Sequence, residues 1–425
     1  MPNRPIGKTL RTAIAIVPII AAAAAAADWP NFHGPDRTNK SAEAGLLKQW
    51  PKEGPALIWM ASGVGNGYSG AAVSGGAVYT AGVKNNANYV FAFSSAGKLL
   101  WEKPAGKVWE ATRAFARSYN GTRSTPTVEG GAVYYLSDIG FLIALDAKTG
   151  AAKWSVDLRA KYDGEIPDYG YSESPLVHGN RLYCSPYGKK ASVVCLDKNT
   201  GKPIWEAPAF NTGADGGDAG FASFIMVENS GYKQLISQSR TFLYGMDSET
   251  GKTLWKAPFL NSRENNCTDA VYSDGYVFVT SGYGRGSMLV KLSKKGDGVA
   301  AEVVYDNSKM MDNHHGGVVL HNGYIYGSGH NSAGWFCLEM KSGKQMWKTA
   351  GKGSLTFADG MLYVYDEKGT VSLVKATPEA YTEVSSFKVP EGGMKSYFWA
   401  HPVVSNGVLY VRYANDLYAY DVKGK

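Results

Sequence analysis

Cysteine is scarce in this chain: Cys184, Cys195, Cys267 and Cys337 form no C-x-x-C pair and no zinc spacing. A disulfide-dense or zinc-stapled scaffold is therefore excluded. After the first thirty residues no long window carries apolar residues at helical i, i+3, i+4 spacing, which excludes a helical bundle. Neither G-x-S-x-G nor H-E-x-x-H occurs, so a standard serine hydrolase or zinc protease is not expected. Charged residues make up only 19%, and the formal net charge of +7 falls to +4 without Arg4, Lys8 and Arg11. That surplus is too mild and too dispersed for nucleic acid. What the chain does have is 51 Gly, 27 Tyr and 11 Trp in 425 residues, a composition that favours strands joined by tight turns.

Residues 1–27 stand apart. Three basic residues precede an apolar run from Ala13 to Ala27, with small residues near its end, which is the layout of a secretory signal peptide. A membrane anchor is the alternative, but the run is short and rich in Ala. No cysteine precedes Cys184 to carry a lipid. The expectation is a periplasmic or secreted monomer without stable membrane insertion. It divides into a signal peptide (1–27), an N-terminal leader (28–55) and a single strand-rich domain (56–425).

Four segments superimpose without gaps: ALDAKTGAAKW from Ala144, CLDKNTGKPIW from Cys195, GMDSETGKTLW from Gly245 and CLEMKSGKQMW from Cys337. A shorter copy ends at Trp101. Each reads as a strand, an Asp/Glu-x-x-Thr/Ser-Gly turn and a second strand bearing Trp. A companion signature, such as STPTVEGGAVYYLS from Ser124, supplies two more strands and recurs eight times, ending with VSNGVLY at 404–410. Four strands per repeat is a propeller blade. The last copy lacks its Trp strand, and ALIWMAS around Trp59 can complete it and close the ring. The fold expected is all-β, an eight-bladed propeller of four-stranded antiparallel blades, with seven blades as the alternative. Cys184 and Cys195 fall on two strands of one hairpin, as a cross-strand disulfide or as two buried thiols.

The A-x-D-x-x-T-G-x-x-x-W repeat resembles the pyrroloquinoline-quinone (PQQ) propeller repeat of quinoprotein alcohol dehydrogenases and BamB-type outer-membrane assembly factors. The likeness covers nearly the whole chain after residue 27 and is specific for fold rather than for function. It implies that the repeat Trp packs between blades. In the quinoproteins it also implies a quinone stacked between a tryptophan and a ring of two adjacent cysteines, beside calcium held by Glu, Asn and Asp. This chain has no adjacent cysteines. Glu173, Asn266 and Asp269 match the calcium ligands by type only.

Aligned blades put one residue each at the channel rim: Tyr68, Arg123, Ser172, Phe221, Cys267, His315, Lys352 and Trp399. Nearby come Thr125, Ser174, Asp269 and His401, with Tyr171, Glu173, Asn266 and His314 one position to either side of the slot. His314, His315, Glu173 and Asp269 have the chemistry of acid, base or metal ligand, and Arg123 that of an oxyanion partner. Tyr68, Tyr171, Lys352, Trp399 and His401 are candidate ligand-binding residues. Of the histidines in NHHGGVVLHNGYIYGSGH (313–330), His321 is expected in a solvated turn at the far end of the channel. His330 is expected off the axis, reaching the mouth only if its loop folds inward. GVGNGYSG (63–70), GYGRGS (282–287) and TGADGGDAG (212–220) read as loops rather than phosphate or calcium sites.

Three functions follow. The favoured one is an exported propeller holding a small-molecule or glycan ligand at the channel mouth, a carbohydrate or alcohol. The second is a quinoprotein-like dehydrogenase with PQQ and calcium. The third is a non-catalytic envelope scaffold docking another protein.

Overall fold

The computed structural model describes Met1 and residues 28–111, 114–210, 220–263 and 265–424. The expected signal peptide and most of TGADGGDAG therefore lie outside the described residues. No helix among the described residues is long and apolar enough to cross a membrane.

The described residues form eight four-stranded antiparallel sheets around a central channel, one of them joined by a short parallel strand. Blade 2 shows the pattern: Thr127–Glu129 lines the channel, followed outward by Ala132–Leu136, Phe141–Asp146 and Ala152–Asp157. Blade 8 takes its outermost strand, Ala56–Ser62, from the other end of the domain, with Met60 opposite Tyr418. Ring closure by the Trp59 strand is as expected.

The spacing of the repeat has a steric cause. In blade 2 the Asp146 carboxylate accepts hydrogen bonds from Lys148 N, Thr149 N and Thr149 Oγ1, which closes the turn. Gly150 follows at φ +70°, and a Cβ there would come within 2.7 Å of the Trp101 ring of blade 1. Gly201 and Gly251 stand in the same relation to Trp154 and Trp205. Each of the three indoles also donates to a main-chain carbonyl of the next blade, Ala147, Lys198 or Ser248. The glycine thus serves both the left-handed turn and the bed on which the neighbouring blade's tryptophan lies.

Cys184 and Cys195 are buried free thiols. Cys195 pairs with Tyr183 and Cys184 with Val194, so they occupy successive positions in register and face opposite sides of the blade. That geometry corrects the cross-strand disulfide reading: the two sulfurs pack into different inter-blade cores.

The leader does more than precede the ring. It runs up the channel from Asp28, whose carboxylate accepts from Ser74 Oγ and Gly75 N at the turn end of blade 1. Phe32 reaches the mouth. The chain reverses through left-handed His33 and Gly34 and descends to pair Lys40–Ser41 in parallel with Phe357 and Ala358 of blade 7. Trp29 bonds Val73 of blade 1, and Pro30 O accepts from Val128 N of blade 2. Arg37 donates to Ser174 O and Pro175 O of blade 3 and to Phe224 O of blade 4. Asn39 donates to Leu355 O of blade 7. His33 faces Asp269 of blade 5, Gly317 of blade 6 and His401 of blade 8. All eight blades therefore touch this one segment.

Candidate functional site

The mouth above the leader is a cavity of about 330 Å³. All eight rim-slot residues lie in its wall, together with His314, His330 and His401. They come together because each blade brings one residue to the same height at the start of its innermost strand. Phe32 contributes to the wall from the leader. Among the described residues no carboxylate lines the cavity.

One side is aromatic. Trp399 stacks on Tyr397 with ring centroids 4.3 Å apart and on Tyr119 at 5.5 Å, and Tyr68 lies 5.2 Å away. Tyr119 comes from a 3-10 turn, Ala114–Tyr119, inserted between blades 1 and 2, outside the repeat register. Tyr169 and Tyr283 likewise line the wall from connecting loops. Position in the repeat could not have identified these three.

Beside it is a histidine corner, with the His315 ring centroid 4.6 Å from that of Trp399. The His314 ring centroid lies 4.9 Å from those of His315, His330 and Tyr283. His330 is therefore in the wall, not off the axis. Its loop is folded inward by Asp312, whose carboxylate accepts from the main-chain N of Gly284, His330, Asn331 and Ser332. Burial alone would raise Asp312, but the Ser332 hydroxyl, with the main-chain N–H groups of Ser332, Gly284 and Asn331, holds it below the usual carboxylate range. His321 lies apart and is half-buried, its ring 4.3 Å from that of Phe357, rather than solvated.

Glu367, which no motif marked, is the polar hub behind this corner. Its Oε1 accepts from Lys352 Nζ at 2.9 Å and Trp399 Nε1 at 3.0 Å, and lies 3.2 Å from His315 Nε2. Burial alone would raise Glu367, but the contacts with His315 and Lys352 bring it down to about 2. Burial also lowers His315, so Lys352 is the partner that carries the permanent positive charge.

Several expected residues have other work. The Arg123 guanidinium donates to Tyr119 O at 2.6 Å, Tyr169 O at 2.8 Å and Gly121 O at 3.1 Å. It orders the two loops that carry the tyrosines, and these contacts use three of its five N–H donors. Tyr171 is buried beneath the mouth, with its hydroxyl donating to Pro186 O at 2.8 Å. Glu173 is also buried there and accepts from Ser185 N, and burial pushes its carboxyl up to about 8. Asp269 accepts from Ser223 N at 2.7 Å, and its other oxygen lies 3.2 Å from His33 Nδ1. His33 Nε2 is 3.0 Å from His401 Nδ1, and His401 Nε2 is 2.8 Å from His315 O. A carbonyl only accepts, so His401 donates there through Nε2. Burial keeps His401 neutral, so His33 is the donor to its Nδ1.

The quinone–calcium arrangement does not fit these residues. Cys267 is in the wall, but Cys184, Cys195 and Cys337 are buried inside blades. The Asn266 amide donates to Ser239 O and Phe259 O, both at 2.9 Å. Arg37 places a fixed cation in the field of Glu173 and Asp269. Among the described residues no three His, Cys, Asp or Glu side chains are grouped to hold a metal ion.

A family model described as outer membrane protein assembly factor BamB matches residues 48–162 and 86–349. A curated quinoprotein ethanol dehydrogenase from Pseudomonas aeruginosa is 30% identical over 115 residues, 26% of this chain and 18% of that protein. The chain thus matches less than a fifth of that relative's length. Among solved structures, BamB from Moraxella catarrhalis is 14% identical with a TM-score of 0.60, covering 87% of this chain and 98% of that one. The quinohemoprotein alcohol dehydrogenase from Comamonas testosteroni is 13% identical with a TM-score of 0.64, covering 95% and 82%. At these identities the likeness shows the fold.

Proposed function

The chain belongs to the BamB-type family of PQQ-repeat propellers, and from that premise we propose that it is an exported binding propeller whose mouth cavity takes a carbohydrate or alcohol-type ligand. The observation that carries this reading is the division of the wall. Trp399, Tyr119 and Tyr68, all in the wall, offer aromatic faces suited to a sugar ring. The adjoining imidazoles and Lys352 offer hydrogen-bonding groups for hydroxyls. A wall without carboxylates among the described residues favours neutral or acidic sugars over cationic ligands. The signal-peptide layout of residues 1–27 supports export.

The test is a titration of the purified protein with neutral sugars, uronic acids and polyols, followed by tryptophan fluorescence and thermal unfolding. At least one class should saturate, and Trp399→Ala should weaken it about tenfold, on the order of 1 kcal/mol. Silence across all three classes sinks the reading.

One observation favours a second reading, the envelope scaffold. Leu57, Ile58 and Met60 on the outer strand of blade 8, and Leu99 and Leu100 on that of blade 1, are each about half exposed. Trp59, on the first strand, donates to Ser95 O in the turn that leads into the second. Such a patch suits protein docking. Leu57→Lys with Leu99→Lys should then abolish binding of an envelope protein while leaving sugar binding intact.

A further inference from the structure

The protonation of the histidine corner can be followed atom by atom. Glu367 Oε1 faces His315 Nε2 at 3.2 Å, and a carboxylate only accepts, so the His315 proton sits on Nε2. Burial keeps this imidazole neutral, which leaves its Nδ1 bare. That Nδ1 lies 3.1 Å from His314 Nδ1, a contact that needs one hydrogen between the two nitrogens. His314 must supply it. His314 is neutral too, because burial and the neighbouring His315, His330 and Lys352 all disfavour its charge. Its remaining nitrogen, Nε2, is therefore a lone pair on a side chain that lines the cavity.

The main chain beneath is pinned. Thr268 Oγ1 donates to His314 O at 3.0 Å, and His401 Nε2 to His315 O at 2.8 Å. The rings of Tyr283 and His330 flank His314. Both imidazoles are thus held at fixed orientations before any ligand arrives.

We propose that Glu367, His315 and His314 form a carboxylate–imidazole–imidazole relay that presents His314 Nε2 as the proton acceptor of the cavity, directed at a hydroxyl of the bound ligand. His314 touches the ligand, and His315 and Glu367 are positioning residues. If the hydroxyl is deprotonated, its O–H bond breaks with the electron pair left on oxygen, and an N–H bond forms at Nε2. Burial and Lys352 disfavour the resulting imidazolium, and Glu367, which stays ionised, offsets part of that cost through His315, as the carboxylate does in a serine-protease triad. The hydroxyl ligand rests on the preceding reading of the cavity, whereas the relay does not.

Nitrogen NMR of the full chain labelled at histidine reads the tautomers directly, with His314→Gln and His315→Gln assigning the signals. Wild type should show His314 as Nδ1–H and His315 as Nε2–H. Glu367→Ala should abolish the Nε2–H preference of His315 and redistribute the His314 tautomer. Thermal unfolding and the remaining histidine signals check that this variant is folded. A merely structural Glu367 would leave both tautomers in place. An Nε2–H tautomer at His314 in wild type, or unchanged tautomers in folded Glu367→Ala, would overturn the relay. Addition of D-glucose or D-glucuronate should shift the His314 Nε2 resonance. No shift with the tautomers as expected would overturn the assignment of a sugar hydroxyl to this acceptor and leave the relay standing.

Discussion

Glu173 and Glu367 sit in one ring, yet their carboxyl groups are driven in opposite directions. Glu173 is buried with one oxygen on Ser185 N and the other without a partner among the described residues. Glu367 has Lys352 and Trp399 donating to it. The difference is legible in stability against pH. Glu173 has its folded value raised from 4.5 to about 8, so it favours folding most below 4.5 and loses that contribution as pH rises to about 8. Glu367 is depressed from 4.5 to about 2, so its contribution is complete above 4.5 and is lost as pH falls towards about 2. Glu173→Gln should therefore flatten the decline between about pH 5 and about pH 8, by a few kcal/mol at most. Urea midpoints across that range check it, and an unchanged slope would remove Glu173 as the cause. Neither role was readable from residue type. Glu173 looked like a metal ligand or acid, and Glu367 stood in an ordinary turn after a strand.

The leader is the element whose role was least visible in advance. Residues 28–55 carry no periodic pattern, and their contacts join positions far apart in sequence, such as Arg37 with Ser174 and His33 with His401. Local propensity carries no information about such contacts, and only the left-handed backbone at His33, Arg37 and Asn39 makes the reversal possible. Burial pulls the Arg37 guanidinium down to about 10, and three carbonyls accept its hydrogen bonds. Arg37→Met would leave those carbonyls without their donor and remove the cation near Glu173 and Asp269. The expected loss is about 3–5 kcal/mol, measured by chemical denaturation. Arg37→Lys should recover part of it by restoring the charge without the forked geometry. A wild-type midpoint for Arg37→Met would mean that the leader rests in the channel without stabilising the ring.

For the whole molecule, stability depends on closing the circle. Blade 8 draws strands from both ends of the domain, and Trp59 lies against Gly97 and donates to Ser95 O, locking blade 8 to blade 1. Trp59→Ala should cost about 2–4 kcal/mol, towards the lower end because the indole is only half-buried. Hydrogen exchange should report the loss first at the seam between blades 8 and 1. Protection lost equally in all blades would argue that the ring unfolds as one unit and that closure has no local weak point.

Blade number and the Asp–Thr–Gly turn were determined by the sequence, because each is a short-range requirement, and the repeat then sets each glycine against the indole of the preceding blade. A left-handed glycine and an indole four residues later are written within eleven consecutive positions and repeated around the ring. The same periodicity brought the rim residues to one height. What stands between them was decided only by the tertiary structure. The leader in the channel, the tyrosines from the loops, His330 drawn inward by Asp312 and Glu367 behind His315 all depend on meetings between segments that no local pattern encodes. Their hydrogen bonds form only where eight blades and a returning strand converge, and that convergence sets which imidazole nitrogen carries a proton.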